Sequence, residues 1–422
     1  MEEQDRNLIS DENINYLIML GYISIVLFSS FIFNTPKEIF LGMKDILLST
    51  SILLTDYMEY GNIGSAFMNS SILMLIALCI AKYNNVDMSG PVIASIFTIG
   101  GFGLFGKNIY NIWSIFIGVY LYCYIKRVEF KKYIVIAFFG TALGPLVSQI
   151  SFGLGLGIFK GILLGNLSGI IAGIILIPLA NHFVSFHRGF NMYNVGFTAG
   201  IIGTLFMSLL RGFGFNNDAV SIVLHNKNLI LGIYFYLFFI SMIVLGWILN
   251  KNSFNGFKEL LQETGAGGPN FIHKYGIGLS LINMGILGIL SISYVLLVKG
   301  QLNGLTIGGA FTVVGFGAFG KHMKNIIPVI LGVYIASLFK VWEVNSAAIL
   351  LAALFGTTLA PISGTFGWGA GILSGILHVS IVSNTSYLHG GMNLYNNGFA
   401  GGIVAAILVP VIQDFKESNK EV

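Results

Sequence analysis

The stretch GGFGLFGKNIYN at 100–111 returns as VGFGAFGKHMKN at 314–325, and this recurrence decides the fold. Lys107 meets Lys321 at an offset of 214, which also pairs Asn69 with Asn283, Asn111 with Asn325, and Gly118-Val119-Tyr120 with Gly332-Val333-Tyr334. After a two-residue insertion FGTALGP (139–145) matches FGTTLAP (355–361). HRGFNMYNVGFTAG (187–200) then matches HGGMNLYNNGFAGG (389–402) at an offset of 202. Ordered self-similarity of this kind marks a duplicated unit. The chain therefore reads as two homologous halves, about 1–215 and 222–415. They are joined by the Gly- and Asn-rich stretch GFGFNNDAVSIVLHNKN (212–228), with no soluble domain.

Of the 422 residues, 55% are of the types AVILMFWYC and only 9% are charged, against roughly 25% charged in a soluble domain. A net charge of +4, spread over 22 basic and 18 acidic residues, leaves no nucleic-acid footprint. Apolar runs at 14–33, 63–81, 109–125, 228–249, 275–298, 325–339 and 393–412 approach the ~20 residues that cross about 30 Å of hydrocarbon. They are continuous and do not alternate, which selects helices over a β-barrel. The expected fold is an all-α integral membrane protein of two repeats, each with about 5–7 transmembrane helices, multi-pass in the cell (inner, cytoplasmic) membrane. The acidic N-terminus MEEQDRNLISDEN lacks the features of a cleaved signal, so span one is expected to be retained. Cys79 and Cys123 sit in or beside spans, which argues against a disulfide framework.

The segment 36–58, with Lys37, Glu38, Lys44, Asp45 and Asp56, and its short polar partner at 254–266 read as interfacial helices. The segment 88–106 is either a crossing or a re-entrant piece. About seven crossings per half, an odd number, would turn the second half upside down, a plan shared by many transporters. Charge fits: Lys126, Arg127, Lys131 and Lys132 in the first half face only Lys340 in the second, whereas Lys107 faces Lys321 plus Lys324.

Between 60 and 410 the acidic residues are Asp87, Glu129, Asp218, Glu259, Glu263 and Glu343, all in connections. Intramembrane carboxylates are the usual proton relays and cation ligands, so proton-driven antiport and dedicated cation channels are disfavoured. No HExxH is present, and no catalytic set, metal site or cofactor is expected. What recurs instead is amide, imidazole, phenol and ammonium. The motif HxGxNxYNxGFxxG gives His187/His389, Asn191/Asn393, Tyr193/Tyr395 and Asn194/Asn396. Asn in hydrocarbon demands a partner, so the motif is either a polar constriction that exchanges hydrogen bonds with a passing solute or a helix-entry cap that fixes repeat packing. Lys107 and Lys321, directly after GFGLFG and GFGAFG, suit an anion or carbonyl oxygen, or else snorkel at the membrane edge. Asn69 and Asn283 lie inside apolar spans and join the candidate pathway with Asn111 and Asn325. Gly157, Gly161, Gly165, Gly169 and Gly173 recur every fourth residue, a ridge for close helix packing or for a homo-oligomer contact.

The paired HxGxNxYNxGFxxG and FGKxxxN strings resemble a family of bacterial integral membrane proteins known as a domain of unknown function, over nearly the whole chain. MYNVGFTAG (192–200) and LYNNGFAGG (394–402) are also similar to the Tyr-Asn-Gly string of urea transporters, whose repeats carry an Asn in the first long span. One residue here separates Asn from Gly. That resemblance implies small neutral solutes. The expected function is transport of a small polar molecule between the repeats, with amide- or polyol-like solutes first and small organic or inorganic anions second. A membrane scaffold or lipid-modifying enzyme is the alternative of another class. The three motif residues Asn191, Tyr193 and Asn194 are expected to approach Asn393, Tyr395 and Asn396 across a pseudo-two-fold axis.

Overall fold

The computed structural model describes residues 2–339 and 341–418. In the first half the helices are α1 (Glu2–Phe33), α2 (Pro36–Leu48), α3 (Tyr57–Tyr60), α4 (Ile63–Tyr83), α5 (Gly90–Gly103), α6 (Trp113–Lys126), α7 (Ile134–Gly140), α8 (Gly144–Ser148), α9 (Ile158–Phe183) and α10 (Asn194–Gly212). The second half runs α11 (Asn228–Leu249), α12 (Phe257–Leu260), α13 (Phe271–Leu297), α14 (Gly304–Phe316), α15 (Met323–Ser337), α16 (Ala347–Gly356), α17 (Ala360–Phe366), α18 (Trp368–Thr385) and α19 (Asn396–Ser418). Among the described residues nine helical stretches are long and apolar enough to cross a membrane. The protein is a multi-pass helical membrane protein built from a duplicated unit.

Two of the apolar runs, 109–125 and 325–339, are shorter as helices than the sequence implied. The α6 and α15 helices have 14 and 15 residues, about 21–23 Å at 1.5 Å per residue. Their neighbours α5 and α14, with 14 and 13 residues, are buried along their whole length. They meet through glycine: a Cβ on Gly101 would stand 2.5 Å from the Gly308 carbonyl oxygen, and the repeat-related Gly315 lies as tightly against Ala94 and Phe97. The α10 and α19 helices cross in the same reciprocal way, Gly196 against Tyr395 and Gly398 against Tyr193. Phe97–Phe311, Tyr193–Tyr395 and Phe197–Phe399 pair each residue with its own repeat mate, at centroid separations of 5.8, 5.0 and 5.9 Å. The two halves are thus related by an approximate two-fold that passes through these rings.

The segments carrying FGTALGP and FGTTLAP are broken. Each is apolar enough to span as 130–153 and 347–366, yet a 3-10 turn at Thr141–Leu143 or Thr357–Leu359 interrupts it just before a proline. Proline lacks the N–H that would continue the ladder, so the break frees backbone groups. The other half takes them up: Leu394 N–H donates to the Ala142 carbonyl and Met192 N–H to the Thr358 carbonyl, both at 3.1 Å.

The glycine ridge of α9 is used inside the chain. Gly161 and Gly165 press on Ser151, Gly169 on Ser114 and Gly173 on Ile115, and all four are buried. These four glycines are therefore not available for the homo-oligomer contact the sequence left open. The charge argument also changes. Lys107 and Lys321 are fully buried and are not loop charges, and Lys340 lies outside the described residues.

Candidate functional site

The GFGLFGK and GFGAFGK turns bring their lysines inward. Each turn reverses through a left-handed glycine, Gly106 (φ 77°) or Gly320 (φ 93°), a conformation that favours glycine. Asn69 of α4 reaches across to hold the first turn, its Nδ2 donating to the Gly103 and Lys107 carbonyls at 2.7 and 2.8 Å. Asn283 of α13 does the same to Gly317 and Lys321, at 2.8 and 2.7 Å. Asn111 and Asn325 close the turns from the other end. Their Oδ1 atoms accept from Asn108 and His322 N–H, and their Nδ2 atoms donate to Gly106 and Gly320. These four amides are the scaffold that aims the lysines. Asn111 and Asn325 spend both ends of their amides on the turn itself, so they belong to that scaffold.

Both ammonium groups are 0% exposed, which rules out snorkelling at the membrane edge. Lys321 Nζ donates to Tyr193 Oη at 2.6 Å and to Thr357 Oγ1 at 2.7 Å. It also stands over the rings of Tyr193 and Phe316, 4.4 and 5.0 Å from their centroids, a favourable cation–π placement. The repeat mates of these groups are Lys107, Tyr395, Thr141 and Phe102. Lys107 Nζ lies 5.3 Å from the Phe102 centroid, but among the described residues neither Lys107 Nζ nor Tyr395 Oη makes a full hydrogen bond, with the Thr98 hydroxyl near the latter. The two equivalent sites are therefore made differently. Ion pairs form at Lys131–Glu129 and Lys274–Glu263, neither of which involves these lysines.

Between the lysines lies a cluster of six rings. Phe102 meets Tyr395 edge-on at 4.7 Å and Phe316 meets Tyr193 at 4.7 Å. Phe355 stacks on Phe102 and Phe139 lies tilted against Phe316, both at 5.6 Å. The tyrosines meet at the axis as the repeat predicts. Their neighbouring amides do not. Asn194 turns to its own half, bonding His187 and the Ala180 carbonyl, and Asn396 likewise bonds His389, Thr385 and the Val382 carbonyl. Asn191 crosses to the other half, donating to Gly398 O at 3.0 Å and accepting from Thr358 Oγ1 at 2.6 Å. Its mate Asn393 accepts from Tyr395 N–H but leaves Nδ2 without a partner.

A cavity of about 230 Å³ leads to this cluster from one side. It is walled by His187, Gly189, Asn191, Asn194, Gly267 and Gly268 at its outer part and by Phe139, Phe316, Tyr193 and Tyr395 at its inner end. On the other side Leu53, Asn217, Gly390 and Gly391, among others, wall a smaller cavity of about 140 Å³ that stops short of the rings. Gly267-Gly268 correspond at the 214 offset to Leu53-Leu54, and Leu53 N–H bonds the Gly391 carbonyl at 3.0 Å. The 212–228 linker backs this wall, with Leu54 and Ile222 bonded through backbone groups and Asp56 Oδ2 accepting from Leu224 N–H at 3.0 Å. Asp56 Oδ1 also accepts from Gly304 N–H at the start of α14. Burial pushes the Asp56 carboxyl up to about 7, against the pull of its three backbone donors. Its mate Asn270 caps Gly90 of α5 in the same manner.

Sequence reasoning passed over Thr141/Thr357, Phe102/Phe316 and the Leu53-Leu54/Gly267-Gly268 exchange. All lie inside or beside the repeated strings, and the offset alone would have paired them. Among the described residues no group of three His, Cys, Asp or Glu stands close enough to hold a metal ion.

Compared with known families, residues 35–212 and 249–414 both match the family described as "Protein of unknown function (DUF1576)". No curated protein and no solved structure matches the chain.

Proposed function

The chain belongs to the DUF1576 family, and we propose that it moves a small polar solute across the membrane, along a path between its two repeats. The observation that carries this reading is the pair of fully buried lysines set on either side of the two-fold, beside a ring cluster that a cavity of about 230 Å³ reaches from one side and a smaller one approaches from the other. Two features support movement over static packing. The Lys321 site draws its tyrosine, Tyr193, from the opposite half, so a relative displacement of the halves breaks it. The broken spans at Thr141 and Thr357 also put non-helical backbone at the centre, bonded across the two halves, where transporter sites have broken helices. In this reading His187 lies at the mouth and His389 at the opposite end. The paired Asn191 and Asn393 line the approach. The two halves run in opposite directions through the bilayer.

Flux into proteoliposomes, followed by light scattering with urea, glycerol, sodium formate and sodium acetate, tests the function. At least one solute should enter, and Val184→Trp at the half-exposed cavity mouth should slow it. Entry of none of these would refute transport of a small polar solute. Orientation is tested by single cysteines at Lys131 and Glu343, in equivalent connections of the two halves. Labelling from opposite faces is expected, and labelling from one face refutes the inversion.

A further inference from the structure

We infer that the solute is a small monovalent anion of the carboxylate class, held by the Lys107 ammonium and the Tyr395 hydroxyl. This rests on the transport reading above and names its substrate. The two repeats supply an internal comparison. In one, the lysine is satisfied by a phenol and a threonine hydroxyl, Tyr193 and Thr357. In the other, the same ammonium and the same phenol are both buried and neither makes a full hydrogen bond, the phenol having the Thr98 hydroxyl near it. Phe102 is the ring they share, edge-on to Tyr395 at 4.7 Å and 5.3 Å from Lys107 Nζ.

A buried donor left unmade is expensive, and a buried ammonium more so. Both orphaned groups carry a hydrogen to give, and the amine holds a full charge when an anion lies beside it. A ligand that answers both must accept hydrogen bonds and be negative. A urea or a polyol meets the first need alone. Carboxylate oxygens accept charge-assisted bonds from ammonium and ordinary ones from phenol, and the positive edges of the surrounding rings tolerate an anion in their plane. The cavity of about 230 Å³ has Tyr395 in its wall but neither Lys107 nor Phe102, so an entering anion meets the tyrosine first, and the complete burial of Lys107 leaves room for only a few heavy atoms. At Lys321 the tyrosine and threonine stand where such oxygens would sit. That site is the same device with its donors internally closed.

The experiment uses the full chain in detergent and in proteoliposomes, with sodium formate and sodium acetate against urea and glycerol. Formate or acetate should raise the unfolding temperature saturably and enter vesicles, and the neutral solutes should do neither. Lys107→Gln should weaken the anion response at least ten-fold, and Tyr395→Phe, which keeps the ring, should weaken it several-fold. Anion binding or entry unchanged in both variants overturns the assignment. Uptake of urea or glycerol with no response to either anion also overturns it, while leaving the transport reading intact. Saturable anion binding lost in Lys107→Gln, with no flux of any solute, upholds the site and defeats transport. Should Lys107→Gln fail to fold, Tyr395→Phe decides alone.

Discussion

Replacing Asn69 by Leu tests whether this amide is scaffold or pathway. The side chain is wholly buried, and Leu nearly preserves its shape, so the change removes hydrogen bonds and little volume. Its Nδ2 serves the Gly103 and Lys107 carbonyls at 2.7 and 2.8 Å, and no other side-chain donor is bonded to either oxygen. Two buried carbonyls left dry cost about 1–3 kcal/mol each, about 2–6 kcal/mol together. Against a total stability of about 5–15 kcal/mol that is a large fraction. Partial relief comes from Asn69 Oδ1, itself without a partner, whose desolvation the substitution removes. The lower half of the range, about 2–4 kcal/mol, is therefore expected. The assay is reversible unfolding of the purified protein in mixed micelles titrated with a denaturing detergent, with Asn283→Leu alongside. The two variants should lose similar stability because their bonds are equivalent. A loss below about 1 kcal/mol in both, with solute movement abolished, would refute the scaffold assignment and return these amides to the pathway.

Gly101→Val places a Cβ about 2.5 Å from the Gly308 carbonyl oxygen, so α5 and α14 must separate. Unfolding should come at lower denaturant by an amount in the overpacking range of about 1–3 kcal/mol or more. Gly21→Ala, where nothing lies within 4 Å of the new Cβ, should instead leave stability unchanged or raise it by up to about 1 kcal/mol. Asp56 has a folded-state carboxyl value of about 7, above its ordinary 3.8, so the folded protein keeps a proton that the unfolded chain has released. Stability from this residue is full below about pH 4 and is lost as pH rises to about 7. Asp56→Asn should flatten that slope in thermal melts taken across pH 4–8, and an unchanged slope would remove Asp56 as its source.

Much of the site was legible because duplication makes a sequence its own alignment. Lys107/Lys321, Tyr193/Tyr395 and the Asn pairs stand out as polar residues kept in both halves of an apolar chain. Reading a role for each was harder. Asn111 and Asn194 have the same composition signal as Lys107, yet their amides are consumed by carbonyls of Gly106 and Ala180. Whether a polar group is free depends on partners 14, 38 or 128 residues away, as at Asn194, Asn69 and Lys321.

What the sequence determined by itself is the class and the plan: a helical membrane protein of two repeats with a recurring lysine turn and a recurring tyrosine motif. Apolar length, scarcity of charge and self-similarity are properties of the chain read in order, and no contact is needed to see them. Tertiary structure alone decided which polar groups are satisfied and which are left facing each other. It set Tyr193 on Lys321 while leaving Tyr395 and Lys107 apart. It also set Gly267-Gly268 beside a cavity that reaches the rings and Leu53 beside a smaller one that stops short of them. The physical reason is that hydrogen-bond satisfaction and cavity volume are set by groups from both halves at once, and two halves that match in sequence need not be equal in space.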